Sequence, residues 1–507
     1  MRAWEIVLVT ADLLAFCVVV AARLRVRAGY LAATAPVAAV VQALVEGPRW
    51  QLIPAYLAAA LFAAICAVAA RRARRTGAAP GGTGITARRW GWRVGRGLGG
   101  VAGAVLLVVS VAVPVALPVF RFPAPSGPYG IGTATYHWVD ETRPELFTAD
   151  PGDRRELKAQ VWYPAAKGIE GRPAPYIRDA DAVTPVMARL FGFPEASFAH
   201  FKHVTTNAVE GAPAAPGRHP VLIFLSGLNG FRSINTFQIE ELVSHGYVVV
   251  GLDQPGAVAA VELPGGRTIP GLPRERIQPL ITQSTRPRDT PPELNGTPLP
   301  AGIVPYFAKD AGFALDRLAA LNASDPQRRL TGRLDLARAG VFGISLGGMT
   351  AAQACKDEPG LRACLIMDVE IPADVVGAGL RRPVLLITRD AATMRLERAR
   401  FGGWSEEEIA NTLGTMRRTY EDVSDTGYLL SIPGMFHLNF TDFPYWSPAA
   451  ARLGLTGPIA GDRGFTLLNA YSLAFFDRHL RGRHDSLLEG PSPRFPEARF
   501  RVNPADG

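Results

Sequence analysis

The sequence predicts an α/β fold on a mostly parallel sheet, preceded by an N-terminal transmembrane helical region, and three observations carry this. Beyond residue 122, short apolar, β-branched runs alternate with helical patterns, as buried parallel strands and their crossover helices require. Three apolar stretches of spanning or near-spanning length crowd the first 120 residues. Finally, the apolar run Ala339-Gly340-Val341-Phe342 leads into Gly343-Ile344-Ser345-Leu346-Gly347, which reads as a strand, a tight turn and a helix start.

The N-terminal region is expected to hold about four transmembrane helices, at 6–22, 31–45, 52–70 and 97–119. The second is short for a span, ending before Glu46-Gly47-Pro48-Arg49. Arg23 follows the first run directly and more apolar segments come after it, which argues against a cleaved signal peptide. Asp12 and Glu46, near or inside these spans, read as packing or snorkelling residues rather than a transport path. Arg23, Arg25 and Arg27 follow the first span; Arg71, Arg72, Arg74, Arg75, Arg88, Arg89, Arg93 and Arg96 crowd the loop 71–96. Both clusters should stay cytoplasmic, which four spans satisfy, so the chain beyond Phe120 is expected outside the cytoplasm of a multi-pass cell-membrane protein. The net charge of +9 and the positive mean hydropathy of +0.11 therefore reflect this region. They give no support for nucleic-acid binding.

Phe122-Pro123-Ala124-Pro125-Ser126-Gly127-Pro128 is too rich in proline for helix and reads as a tether opening the domain 122–507. Strands are expected at 133–139, 157–163, 221–225, 247–252, 339–343, 363–368, 384–388 and 428–432, and helices at 236–244, 307–321, from Ser345, and at 466–480. Residues 254–303, rich in Pro and Gly, read as a loop excursion, and 391–427 carries a charged helical pattern from Met394 to Tyr420. Either could cover a site or decorate the surface. Cys355 and Cys364, nine residues apart across a helix and a strand, are a candidate disulfide in an oxidising compartment. No Cys/His spacing suggests zinc, and no metal or cofactor is expected.

The Gly-x-Ser-x-Gly pattern casts Ser345 as an acyl-transfer nucleophile, since small neighbours let its hydroxyl stand clear of a strand-to-helix turn. Its alternative is a serine that merely caps a helix. Seven histidines lie in or near early strands, before a strand, or at or past the last helix; His437 alone follows a late predicted strand, where a loop can lower it onto Ser345 as the general base. For the acid, Asp368 ends Cys364-Leu365-Ile366-Met367 and Asp390 follows Leu385-Leu386-Ile387-Thr388-Arg389. Fold logic favours the later strand, as in most α/β hydrolases, but Arg389 offers Asp390 a competing partner, so the residues leave both open. Oxyanion donors are expected from the backbone N–H groups of Leu346 and of Leu228, in the glycine loop after Phe224-Leu225.

The chain resembles the platelet-activating factor acetylhydrolases of the plasma and intracellular type II class. The likeness runs through Pro123-Ala124-Pro125-Ser126-Gly127-Pro128-Tyr129-Gly130, Val161-Trp162-Tyr163-Pro164, Ser226-Gly227-Leu228-Asn229-Gly230-Phe231-Arg232, the Ser345 turn and His437-Leu438-Asn439-Phe440. The resemblance implies an α/β-hydrolase fold and a metal-independent serine esterase cleaving short or oxidised acyl chains from phospholipids. It places oxyanion donors at Leu228 and Leu346, and the acid 23 residues past the serine, which is Asp368. The family usually has His-Gly-Leu and Gly-His-Ser; here those histidines are Ser226 and Ile344. The bilayer and a lipid ester are the partners expected. Rival readings are an esterase or acyltransferase on cell-envelope or polyester substrates, separable by competition with alcohol acceptors, and an inactive hydrolase-like membrane sensor.

Overall fold

The computed structural model describes residues 1–21, 29–76 and 87–503. Arg23, Arg25 and Arg27, and the side chains of Arg74, Arg88, Arg89, Arg93 and Arg96, lie outside the described residues. The chain divides into two compact units, Met1–Phe120 with Trp446–Ala449, and Arg121–Tyr445 with Ala450–Gly507.

In the first unit the helices are α1 (Ala3–Val20), α2 (Thr34–Val45, preceded by the 3-10 turn Gly29–Ala33), α3 (Ile53–Thr76) and α4 (Ala87–Ala116). Ala3–Val20, Trp50–Arg72 and Gly99–Ala116 are long and apolar enough to cross a membrane; Tyr30–Val45 is shorter. Small residues face inward, among them Ala11, Ala15, Ala35, Ala55, Ala58 and Ala59, while Leu13, Leu14, Val37, Val40, Leu57 and Val105 point outward. This reverses the pattern of a bundle in water and suits helices packing closely in an apolar solvent. One end is tied by charge: Arg49 pairs with Glu5 at 2.9 Å and donates to the Leu117 carbonyl at 2.7 Å, and Arg2 pairs with Glu5 at 2.8 Å. The Trp4 N–H donates to Glu46 at 2.9 Å. The start of α1, the end of α2, the start of α3 and the residues just past α4 therefore share one end.

The second unit is built on an eleven-stranded sheet: β1 (Gly130–Pro144), β2 (Arg154–Ala165), β3 (Pro173–Pro175), β4 (Thr205–Glu210), β5 (His219–Leu225), β6 (Val248–Asp253), β7 (Leu334–Ile344), β8 (Leu361–Met367), β9 (Val384–Thr388), β10 (Gly427–Ser431) and β11 (Arg499–Asn503). Their spatial order is β11-β10-β9-β8-β7-β5-β6-β2-β1-β4-β3. The six strands from β10 to β6 run parallel, and β2 and β11 close that block antiparallel on either side. Every strand of the expected eight lies in this sheet. The three missed are edge or near-edge strands, where sequences such as Thr-Thr-Asn-Ala-Val-Glu and Arg-Phe-Arg-Val-Asn carry no continuous apolar run.

Alternate residues of the central strands enter two cores. Leu222, Phe224, Phe342, Leu365 and Ile387 face one, and Val221, Ile223, Val341, Ile366 and Leu386 the other. The first is covered by α5 (Thr236–Ser244) and by the long C-terminal helix Gly461–Arg481, through Leu242, Val243, Tyr471 and Phe475. Residues 254–303 are not the plain loop expected: besides two short ribbons they form α6 (Arg274–Thr285), whose internal Pro279 and polar content hid the helical pattern. The second core is covered by α7 (Val304–Ala323) and α8 (Leu346–Asp357). The charged pattern of 391–427 becomes two helices, α9 (Ala391–Phe401) and α10 (Glu406–Glu421), parted by Gly402 and Gly403, both at positive φ. The Gly461–Arg481 helix is α11. Cys355 on α8 and Cys364 on β8 are joined by a disulfide that ties the helix after Ser345 to the strand before Asp368.

Candidate active site

Ser345, Asp368 and His437 follow β7, β8 and β10, three parallel strands whose carboxyl ends share one edge. Ser345 takes φ 56° and ψ −128°, between the strand and α8. Its hydroxyl makes no capping bond to the helix, so the turn is not there for a cap. A Cβ on Gly343 would come within 2.2 Å of the Gly347 carbonyl, and one on Gly347 within 2.0 Å of the Leu225 carbonyl. Glycine is obligatory at both: α8 starts against the end of β5 and folds back over its own strand. Of the six non-glycine residues at positive φ among the described residues, four are Asn229, Ser345, Asp368 and Trp404, all on the loops at this edge. Such strain persists only where surrounding structure over-determines it, and it clusters at functional sites.

His437 Nδ1 lies 2.7 Å from Asp368 Oδ2. A carboxylate only accepts, so the proton sits on Nδ1 and the Nε2 lone pair is free to act as a base. The loop carrying His437 is held from several directions. Its own N–H reaches the Glu397 carboxylate at 3.3 Å, and Asn439 Oδ1 accepts from Phe436 and Gly457 at 2.9 and 2.7 Å. Asp442 caps α5 through the N–H groups of Thr236 and Phe237 at 2.8 and 3.0 Å. Five other histidines are engaged elsewhere: His137 with Glu156, His219 with the Gly246 carbonyl, His245 with Glu241, His479 with Tyr428 and His484 with Glu489.

Asp368 is fully buried. Burial pushes its carboxyl up, but the Arg389 guanidinium and the His437 hydrogen bond outweigh it and hold the group below the usual carboxylate range. Asp390, the other candidate acid, is spent as the N-cap of α9, accepting from the Thr393 N–H at 2.8 Å. Arg389 does not pair with it. Its Nε lies 3.1 and 3.0 Å from the two Asp368 oxygens, Nη1 pairs with Glu397, and its face carries the Trp404 indole at 4.4 Å. Trp404 also meets the His437 ring edge-on, with centroids 5.3 Å apart. Glu397 and Trp404 went unnoticed in the sequence, where they look like ordinary members of a charged surface helix and the loop after it.

On the far side, Leu346 N–H opens α8, where the helix has no internal acceptor for it. The loop of Leu228 is fixed by Asn229 N–H to the Ala257 carbonyl at 2.9 Å and Gly230 N–H to the Gly227 carbonyl at 3.0 Å. A Cβ on Gly227 would approach the Ser345 Cβ to 3.1 Å, so this loop lies directly against the turn. Ser226 Oγ and Asn229 Oδ1 are buried there with no hydrogen-bond partner among the described residues. The excursion 254–303 packs Ile277, Leu280, Ile281 and Leu299 with Leu346 and Leu228, forming an apolar wall. Such a site presents a hydroxyl, an oriented imidazole and a greasy surface on one sheet edge, equipment that suits acyl transfer.

The family model described as "Platelet-activating factor acetylhydrolase, isoform II" matches residues 118–262 and 316–492. The platelet-activating factor acetylhydrolase of Canis lupus familiaris is 24% identical over 394 residues, covering 73% of this chain and 81% of that protein. A probable 1-alkyl-2-acetylglycerophosphocholine esterase of Arthroderma benhamiae is 24% identical over 299 residues, 55% of this chain and 66% of its own length. Among solved structures, a ferulic acid esterase from Streptomyces cinnamoneus superposes with a TM-score of 0.57 at 28% identity, covering 76% of this chain and 99% of that one. With the family model matching more than half of its length and an esterase sharing its α/β-hydrolase fold, this chain belongs to the platelet-activating factor acetylhydrolase, isoform II, family and is a serine ester hydrolase.

Proposed function

We propose that this protein is a membrane-anchored esterase that releases short acyl chains from lipid esters, with Ser345 as nucleophile, His437 as base and then acid, and Asp368 orienting and stabilising the imidazolium. The observation that carries it is the 2.7 Å Asp368–His437 bond at the same sheet edge as the strained turn of Ser345. Ser345 Oγ attacks the ester carbonyl as its proton passes to His437 Nε2. The N–H groups of Leu228 and Leu346 take the developing oxyanion, each contributing roughly 10²–10³ in rate. The imidazolium protonates the leaving alcohol, and water, activated by the same nitrogen, resolves the acyl-enzyme. The dog and fungal relatives support a lipid ester as substrate, and the apolar wall of 254–303 suits one.

The purified protein is expected to cleave p-nitrophenyl acetate and butyrate at least ~10-fold faster than the octanoate, and 1-alkyl-2-acetylglycerophosphocholine in preference to methyl ferulate. Equal rates on lipid and soluble esters, or a preference for ferulate, would discard the lipid assignment. Partition of the acyl group to added alcohol would mark an acyltransferase instead.

Residues 1–121 form the membrane region in this reading, with four crossings, the loop 71–96 in the cytoplasm and the domain 122–507 outside. Support comes from the outward apolar faces, from the charge ties that gather four element ends on one side, and from the Cys355–Cys364 disulfide, at home in an oxidising compartment. In a background with Cys17 and Cys66 replaced by Ser, Lys167→Cys should react with an impermeant maleimide on intact cells, and Thr83→Cys only after permeabilisation. The reverse order would overturn the orientation.

A further inference from the structure

Besides the buried guanidinium, the Asp368 carboxylate is met by the Thr388 hydroxyl at 3.3 Å and by His437 Nδ1 at 2.7 Å, so Arg389 brings a charge to a group that already has neutral partners. Arg389 is fully buried and lies between two carboxylates: Nε on both oxygens of Asp368, Nη1 on Glu397. Glu397 in turn accepts the backbone N–H of His437. The charged groups linked to His437 are therefore Asp368 after β8, at the ring, and Glu397 on α9, at the backbone N–H, with Arg389 after β9 between the two carboxylates. Arg400, also on α9, lies over the neighbouring Phe436 ring at 6.0 Å, and Glu370, two residues past Asp368, is taken by Arg286 at 3.6 Å. Trp404 covers the outer face of the guanidinium, and a low-dielectric cover strengthens every charge beneath it.

Resting on the assignment of Asp368 and His437 above, we propose that Arg389 and Glu397 are an opposed pair of positioning residues that set the proton affinity of His437. Arg389 opposes protonation of the imidazole, and Glu397 favours it. Two carboxylates alone would stabilise the imidazolium and take His437 out of action at higher pH. The cation between them leaves one net negative charge beside the imidazolium that forms in the transition state.

The two charges act with opposite sign, and a merely structural role would not reproduce that. The acidic limb of kcat/KM against pH reports the base in the free enzyme. Arg389→Met, which leaves Asp368 and Glu397 uncompensated, should move that limb up by about one pH unit. Glu397→Gln should move it down by a similar amount. Arg389→Lys, keeping the cation, should leave it near the wild-type position, and Arg389→Met/Glu397→Gln together should bring it back. Thermal unfolding shows which variants are folded; if Arg389→Met is not, Glu397→Gln, Arg389→Lys and the double variant still decide. Limbs that stay fixed, or move the same way in both single variants, would overturn the inference. Ser345→Ala is made in each background: activity surviving there would instead remove the assignment on which the inference rests.

Discussion

Replacing Ser345 by alanine is expected to lower kcat on a short-chain p-nitrophenyl ester by at least ~10⁴-fold while leaving thermal stability nearly unchanged. Both halves follow from the local structure. The hydroxyl caps nothing, so its loss removes no bond that holds α8, and the strained φ of 56° is a property of the backbone that alanine inherits. Whatever rate remains would come from the Leu228 and Leu346 N–H groups and from binding. A His437→Ala variant should be about as inactive, and the double variant little worse than either, because nucleophile and base act as one unit. Full activity in Ser345→Ala would place the chemistry elsewhere.

The second large effect separates two aspartates that look alike in sequence. Asp368→Asn should cost ~10⁴-fold in kcat, since an amide can present its N–H₂ to His437 and hold the wrong tautomer. Asp390→Asn should be nearly silent, and Asp390→Ala should cost about 1 kcal/mol of stability with activity retained, the signature of a lost N-cap. The N-cap bond to Thr393 and the partly exposed position of Asp390 are the reasons. Measuring kcat and unfolding midpoints for the three variants settles the matter; inactivity confined to Asp390→Asn would assign the acid to the later strand.

Much of the fold was legible because buried parallel strands announce themselves. Val221 to Leu225 and Val384 to Thr388 are apolar on both faces, and both faces are buried in the two cores. Edge strands were illegible for the converse reason: one face of β4 and β11 meets solvent, and a five- or six-residue alternation resembles loop. Helix α6 was masked by Pro279, and the break between α9 and α10 lay in two glycines that a charged pattern overran.

The sequence by itself determined the turn at Ser345, since a residue forced to positive φ between packed backbones leaves only glycine at 343 and 347, and that demand is local. It also singled out His437, because few histidines were available and only one followed a late strand. Between Asp368 and Asp390 the residues alone were undecided, and family spacing had to choose. Tertiary structure decided what each strand-end group pairs with: Asp368 with His437 across 69 residues, Arg389 with Asp368 rather than with its neighbour, Glu397 and Trp404 around them. Those pairings depend on the register of β8, β9 and β10 and on how α9 starts. Register is the sum of many weak apolar contacts between strands far apart in the chain, and no short stretch of sequence contains it.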